Sequence, residues 1–168
     1  MINLYDKLDI YTTQLYCAQY IFALLLSNMN DLLKLENQVC FPVYAFSREV
    51  TNLYKPFLEA LGLTYPQYLV MLILWEEKQQ TVNQLGEKLY LDSGTLTPLL
   101  KRMEHKGILN RKRSKIDERV VLISATEIGE KMQEKAALIP EQLIAALGLS
   151  IDELQLLKKI VNKALLGD

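Results

Sequence analysis

Apolar residues recur at helical spacing through most of the chain. They do so from Leu32 to Leu61, with Gly62 closing the stretch. Pro42 suits a first helical turn or a break, and Pro56 predicts a kink or an interruption. A second helix is expected from Thr64 to about Glu77, with Pro66 in its first turn and Gln67 at the capping-box position. A third starts at Thr81, with Gln84 three residues on, and runs to about Tyr90. A fourth follows Asp92 or Ser93 and ends near Gly107, a C-cap. The period then changes. Ile108 to Arg113 and Arg119 to Ser124 are short, β-branched and alternating, and Ser114 to Glu118 joins them over a hairpin's length. Helix resumes at Ser124-x-x-Glu127 and at Ser150-x-x-Glu153, both capping-box patterns, with Gly148 between the last two helices.

Those last helices carry more apolar residues than one small domain needs to bury, among them Leu143, Leu147, Leu154, Leu157, Ile160 and Leu165. Helices of a second subunit would cover the surplus. The pattern predicts a mainly α protein with a small β-wing, a winged helix-turn-helix dimerising through its N- and C-terminal helices.

Composition narrows the class. A chain of 168 residues, half of them apolar and 23% charged, is one domain with at most an appendage, and disorder throughout is excluded. Two Cys and one His build neither a disulfide framework nor a Cys/His zinc site, and no cofactor is called for. The apolar run Leu15 to Leu26 is shorter than the roughly 20 residues of a membrane span, and no basic segment precedes it. A cytoplasmic location with reduced thiols is expected.

Charge is uneven. The net value is −1, yet Lys101 to Arg119 holds eight basic residues against three acids. Such a segment is either a solvated charged surface or a face that binds a polyanion. On the fourth helix Leu96, Leu99, Leu100 and Met103 fall at i, i+3, i+4 and i+7 and bury one stripe. The other face carries Gly94, Thr95, Pro98, Lys101, Arg102 and His105. Small polar residues at the start let a groove approach closely, and cations follow for phosphates. This is either an ordinary amphipathic helix or a recognition helix; Arg111, Arg113 and Arg119 on the adjoining hairpin favour the second, because arginines on a thin loop suit a narrow minor groove.

Two motifs carry a resemblance. The run from Asp117 to Glu127, DERVVLISATE, is similar to the wing and post-wing signature of the MarR family of winged-helix repressors. The run from Leu91 to Glu104, LDSGTLTPLLKRME, resembles the recognition helix of that family's organic hydroperoxide resistance regulators, the OhrR branch. Leu35 to Phe41, LENQVCF, resembles the segment that holds the sensing cysteine there. The match is close from about Leu32 to Leu138. A second cysteine toward the C-terminus, present in two-cysteine sensors, is missing, so the resemblance is to the one-cysteine type; Ala125 also replaces a usual leucine.

The resemblance implies a repressor that senses organic hydroperoxides through oxidation of Cys40 and then releases its operator. It implies a homodimer on double-stranded DNA, with a low-molecular-weight thiol as a partner of oxidised Cys40 and no membrane partner. Residues 31–168 would form the winged-helix domain, with DNA reading in about 64–124 and dimerisation helices at about 31–61 and 126–166. Residues 1–30, with Cys17, would be an atypical extension, since chains of this family begin near Met29. The implied DNA contacts are Ser93, Gly94, Thr95, Thr97, Pro98, Lys101, Arg102, Arg111, Arg113, Asp117 and Arg119.

Cys40 can also be read from its surroundings. It precedes Pro42 by two, so a helix start is expected there, where free N–H groups and the helix dipole favour thiolate. The residues alone leave it either a small buried hydrophobe or a reactive thiol; the resemblance selects the thiol. It also implies a thiol pocket of Tyr44, Tyr54 and Tyr65, with the last two reaching Cys40 of the partner subunit through their hydroxyls. A second function stays open: a repressor of the same fold gated by a small aromatic ligand, with Cys40 incidental. A thiol enzyme is disfavoured, because no base or resolving thiol is placed near Cys40.

Overall fold

The computed structural model describes residues 29–167. The expectations for residues 1–28, which include the apolar run and Cys17, lie outside the described residues. The chain divides into two compact units, one ending at Glu49 and one beginning at Val50.

In the first unit Met29–Leu32 forms a short helix, α1, and Leu35–Asn37 a single 3-10 turn. Cys40 then opens a long helix, α2, which runs Cys40–Glu59. The single helix expected from Leu32 is therefore broken before Cys40. The cause is local. The Asn37 amide donates to the Asp31 carbonyl at 2.7 Å, and the Gln38 amide donates to that of Leu32. Those carbonyls are then taken from the helical ladder. Pro42 falls in the first turn of α2, where its missing N–H costs nothing. Pro56, expected to kink or interrupt, sits inside α2 without ending it. Asn52, whose carbonyl loses its helical donor, and Pro56 are both exposed, so that carbonyl is open to solvent.

The second unit continues with α3 (Tyr65–Glu77), β1 (Gln79–Thr81), α4 (Val82–Leu89), α5 (Ser93–His105), β2 (Leu109–Arg113), β3 (Val121–Ala125), α6 (Glu127–Ala136), α7 (Ile139–Leu147) and α8 (Ile151–Leu166). The capping signals place most of these starts. Thr64 N–H donates to Gln67 Oε1 at 3.1 Å and Thr81 N–H to Gln84 Oε1 at 2.8 Å. Ser150 and Glu153 reciprocate in the same way at α8. α3 buries side chains on nearly every turn, Val70, Met71, Leu74 and Trp75 among them, and so runs through the core. Leu85 of α4, Leu96, Leu100 and Met103 of α5, and Ile123 of β3 close on it.

The strands form an antiparallel sheet in the order β1-β3-β2. Ile123 lies at its centre, paired with Gln80 on one side and Arg111 on the other, and is fully buried. β1 was not expected, since three residues are too few to show a period. Ser124 is not a helix cap. It lies in β3 opposite Asn110, and Thr126 caps α6 instead, its Oγ1 accepting from Gly129 N–H at 3.1 Å. The helix expected to run on to Gly148 is also divided. α6 ends at Ala136, and α7 restarts with Pro140 in its first turn.

Candidate nucleic-acid interface and thiol site

The recognition helix is built from its cap. Asp92 Oδ1 accepts from Thr95 N–H and Asp92 Oδ2 from the Thr95 hydroxyl, each at 2.9 Å. These donors hold the Asp92 carboxyl below its ordinary range. The Thr95 hydroxyl proton is thus committed to the cap, which leaves its oxygen to act as an acceptor. A Cβ on Gly94 would lie 2.9 Å from Asp92 Oδ1, so a side chain there would push on the cap. Leu96, Leu99, Leu100 and Met103 are buried as expected. Ser93, Gly94, Thr95, Pro98, Lys101 and Arg102 are exposed on α5, while Thr97 is half-buried. Ahead of it, Tyr90 turns the chain with φ 54°, and a Cβ on Gly86 would stand 2.7 Å from the Leu91 carbonyl. Gly86 thus sets how closely α4 approaches the turn; an isolated glycine inside a helical pattern was the signal.

The wing tip is organised by side-chain bonds to backbone. Ser114 Oγ accepts from Ile116 N–H at 3.2 Å and from Asp117 N–H at 3.4 Å. Asp117 Oδ1 accepts from Arg119 N–H and Nε at 3.0 Å each, and Oδ2 from Nη2 at 3.0 Å. The Arg119 guanidinium depresses the Asp117 carboxyl. Yet the Arg119 side chain stays 90% exposed. It is a fixed, outward-facing cation. Arg113 donates to the Glu118 carbonyl at 3.1 Å. Arg111 differs. Its side chain is only 18% exposed, it pairs with Glu104 of the recognition helix at 3.4 Å, and its buried Nε has no acceptor. Ile116, which sequence reasoning missed, stands 99% exposed on the loop between β2 and β3. An apolar residue inside a polar tip was the available signal.

Cys40 is the first residue of α2 and is exposed. Tyr44 and Arg48 follow at i+4 and i+8, so the three share one helix face. Arg48 lies over the Tyr44 ring, 5.6 Å from its centroid, with Nη1 3.5 Å from the hydroxyl. Arg48 was not among the expected residues of this face; its spacing from Cys40 carried the signal. In the second unit the Tyr54 and Tyr65 rings lie 4.7 Å apart between centroids, tilted by 40°, and Tyr54 lies 5.8 Å from Tyr68. Burial, then the neighbouring Tyr65 and Tyr68, push Tyr54 up to about 12, and burial raises Tyr65. Both hydroxyls therefore stay protonated and able to donate at neutral pH.

A family model for the transcriptional regulator SarA/Rot matches residues 52–136. An organic hydroperoxide resistance transcriptional regulator of Bacillus subtilis is 55% identical over 133 residues, 79% of this chain and 90% of its own. Among solved structures, reduced AbfR bound to DNA is 38% identical with a TM-score of 0.67, covering 82% of this chain and 96% of its own. MarR from Escherichia coli in its apo form is 25% identical with a TM-score of 0.61, covering 76% and 97%. The chain belongs to the SarA/Rot family. It is a transcriptional regulator with the MarR-type winged helix, not an enzyme. Among the described residues no helix is long and apolar enough to cross a membrane.

Proposed function

We propose that the protein is a repressor that holds its operator while Cys40 is reduced and releases it when an organic hydroperoxide oxidises that thiol. The observation that carries this reading is Cys40 itself: an exposed thiol on the first residue of a helix, in a chain 55% identical to a hydroperoxide resistance regulator. The thiolate attacks a hydroperoxide oxygen. An S–O bond forms as the O–O bond breaks, the leaving alkoxide takes a proton from solvent to become the alcohol, and sulfenic acid remains. A small cellular thiol can then cap that acid as a mixed disulfide and release water.

The working unit is a homodimer in the cytoplasm. Exposed Val39, Phe41 and Val43 near Cys40, and Ile151, Leu156, Ile160 and Leu165 along α8, are apolar surface that a second copy would bury. Dimerisation then uses about 31–61 and 126–166, and DNA reading about 64–124. Tyr54 and Tyr65 of one copy would donate to the thiolate of the other, and Tyr44 would flank it. Oxidation lengthens and repolarises the sulfur, breaks those bonds and shifts the reading heads. Ser93, Gly94, Thr95, Thr97, Pro98, Lys101 and Arg102 meet the major groove, and Arg113, Asp117 and Arg119 serve the wing. The test is intact-mass analysis during peroxide consumption. One equivalent of cumene hydroperoxide consumed per subunit, with one oxygen added at Cys40, supports the reading. Continued turnover, or oxygen added elsewhere, contradicts it.

A further inference from the structure

The loop that joins β2 to β3 is closed at its base, where Ser114 N–H donates to the Val120 carbonyl at 2.8 Å. Inside it Val120 N–H donates to the Asp117 carbonyl at 2.9 Å and closes a turn. Ser114 Oγ accepts from Ile116 N–H and from Asp117 N–H. The backbone at Ile116 is therefore bonded within the loop, while its side chain is left to solvent. At 99% it is the most exposed of the large apolar side chains among the described residues.

A single exposed isoleucine is ordinary on a protein surface. This one differs in its company. Lys112, Arg113, Lys115 and Arg119, all exposed, flank it along the chain. The acids of the tip are Asp117, which braces Arg119, and Glu118. A protein pocket that took up Ile116 would have to strip water from these cations, which is costly. A polyanion would pair with them. The minor groove of DNA suits both kinds of side chain, since its rims are phosphates and its walls are the apolar faces of deoxyribose. It is about 6 Å wide, room for one aliphatic side chain, and apolar residues do enter it. A tip already held by its own bonds gives up little freedom on entering.

We infer that Ile116 enters the minor groove with Arg119, packs on the deoxyribose walls, and sets a preference for A·T pairs where the wing falls. The preference follows from the guanine N2 amino group, a donor on the groove floor that an aliphatic side chain covers without pairing. The inference rests on the wing meeting DNA. It concerns the reduced protein and does not depend on the chemistry of Cys40.

The test uses the full-length reduced protein and three duplexes with one operator core. They differ only in the pairs under the wing, located by hydroxyl-radical protection: A·T, G·C, or inosine·C, which lacks the N2 amino group. The parent should bind the A·T and inosine·C duplexes about tenfold more tightly than the G·C duplex. Ile116→Ala removes three carbons from a side chain with no role in the core, so the fold is kept. It should lose about tenfold per half-site on A·T and inosine·C and little on G·C, with the slope of log K against log[salt] unchanged. Ile116→Val should keep most of the preference. Parent-like binding by Ile116→Ala, an equal loss on all three duplexes, or inosine·C binding as weakly as G·C would overturn the inference. Arg119→Ala, measured alongside, separates it from the reading of the wing. A loss with Arg119→Ala and none with Ile116→Ala would strike out Ile116 alone. A loss with neither would take the whole wing from the DNA, and this inference with it.

Discussion

Arg119 is held by Asp117 through two parallel bonds of 3.0 Å, from Nε to Oδ1 and from Nη2 to Oδ2, while its side chain remains 90% exposed. An arginine free to wave on a loop would lose rotamer entropy on meeting DNA; this one is already placed. Arg119→Ala should lower the slope of log K against log[salt] by about one unit per operator half-site, the signature of one lost phosphate-like contact. Asp117→Ala keeps the cation and removes the brace. It should weaken binding with a smaller change of slope. Anisotropy titrations at several salt concentrations check both, and an unchanged slope for Arg119→Ala would take the wing out of the interface.

Arg111 should behave differently. It is largely covered and turned toward Glu104, so its truncation removes packing between wing and recognition helix as well as a charge. Arg111→Ala is expected to cost about 1 kcal/mol of stability. It should lower operator affinity at every salt concentration without the slope change of Arg119→Ala. A slope change equal to that of Arg119→Ala would make Arg111 a direct contact.

Gly129 tests the joint between wing and α6. A Cβ there would lie 2.1 Å from the Ile108 carbonyl oxygen and 3.1 Å from Met71 Cε, both in the packed interior. Its own carbonyl accepts from Trp75 Nε1 at 2.9 Å. Gly129→Ala should therefore destabilise by about 3 kcal/mol in denaturant unfolding. A variant with unchanged midpoint and slope would show that the backbone yields more easily than this packing allows.

Much of this architecture could be read from residues alone, and the reason is visible at the caps. Thr64 with Gln67, Thr81 with Gln84, and Ser150 with Glu153 satisfy orphan N–H groups within four residues, so the signal is local and complete. The buried stripe of α5 is equally local. What escaped depends on distant partners. β1 exists because Gln79–Thr81 finds the free edge of β3. The cap expected at Ser124 moved to Thr126 because the ladder with β2 continues to Ala125, and the Thr126 hydroxyl donates to the Gly107 carbonyl at 2.7 Å. The site divides likewise. Placing Cys40 at a helix start needed only Pro42 nearby. Whether a wing arginine faces solvent or Glu104 depends on register, which no spacing of arginines reveals.

The raised Tyr54 hydroxyl gives a prediction in alkali. The unfolded chain releases this proton near 10.0, and the folded protein holds it to about 12. Between those values the folded state binds more protons, so stability falls as pH rises through the window and is unaffected below it. Tyr54→Phe should flatten that alkaline loss in thermal melts. Near neutral pH the same variant should respond more slowly to hydroperoxide with little change in DNA affinity, since the hydroxyl lies outside the DNA-reading face. A melt profile identical to the parent from pH 10 to 12 would mean that Tyr54 is not sequestered.

The central claim is that oxidation of Cys40 releases DNA. Its most direct measurement is an operator-binding titration of the reduced protein and of Cys40→Ser, each before and after one equivalent of cumene hydroperoxide. Both untreated proteins should bind equally, because α5 and the wing are the same in each. Peroxide should weaken binding of the parent by at least about tenfold and leave Cys40→Ser unchanged. Release of Cys40→Ser by peroxide, or retention of the parent with Cys40 fully oxidised, would contradict the account.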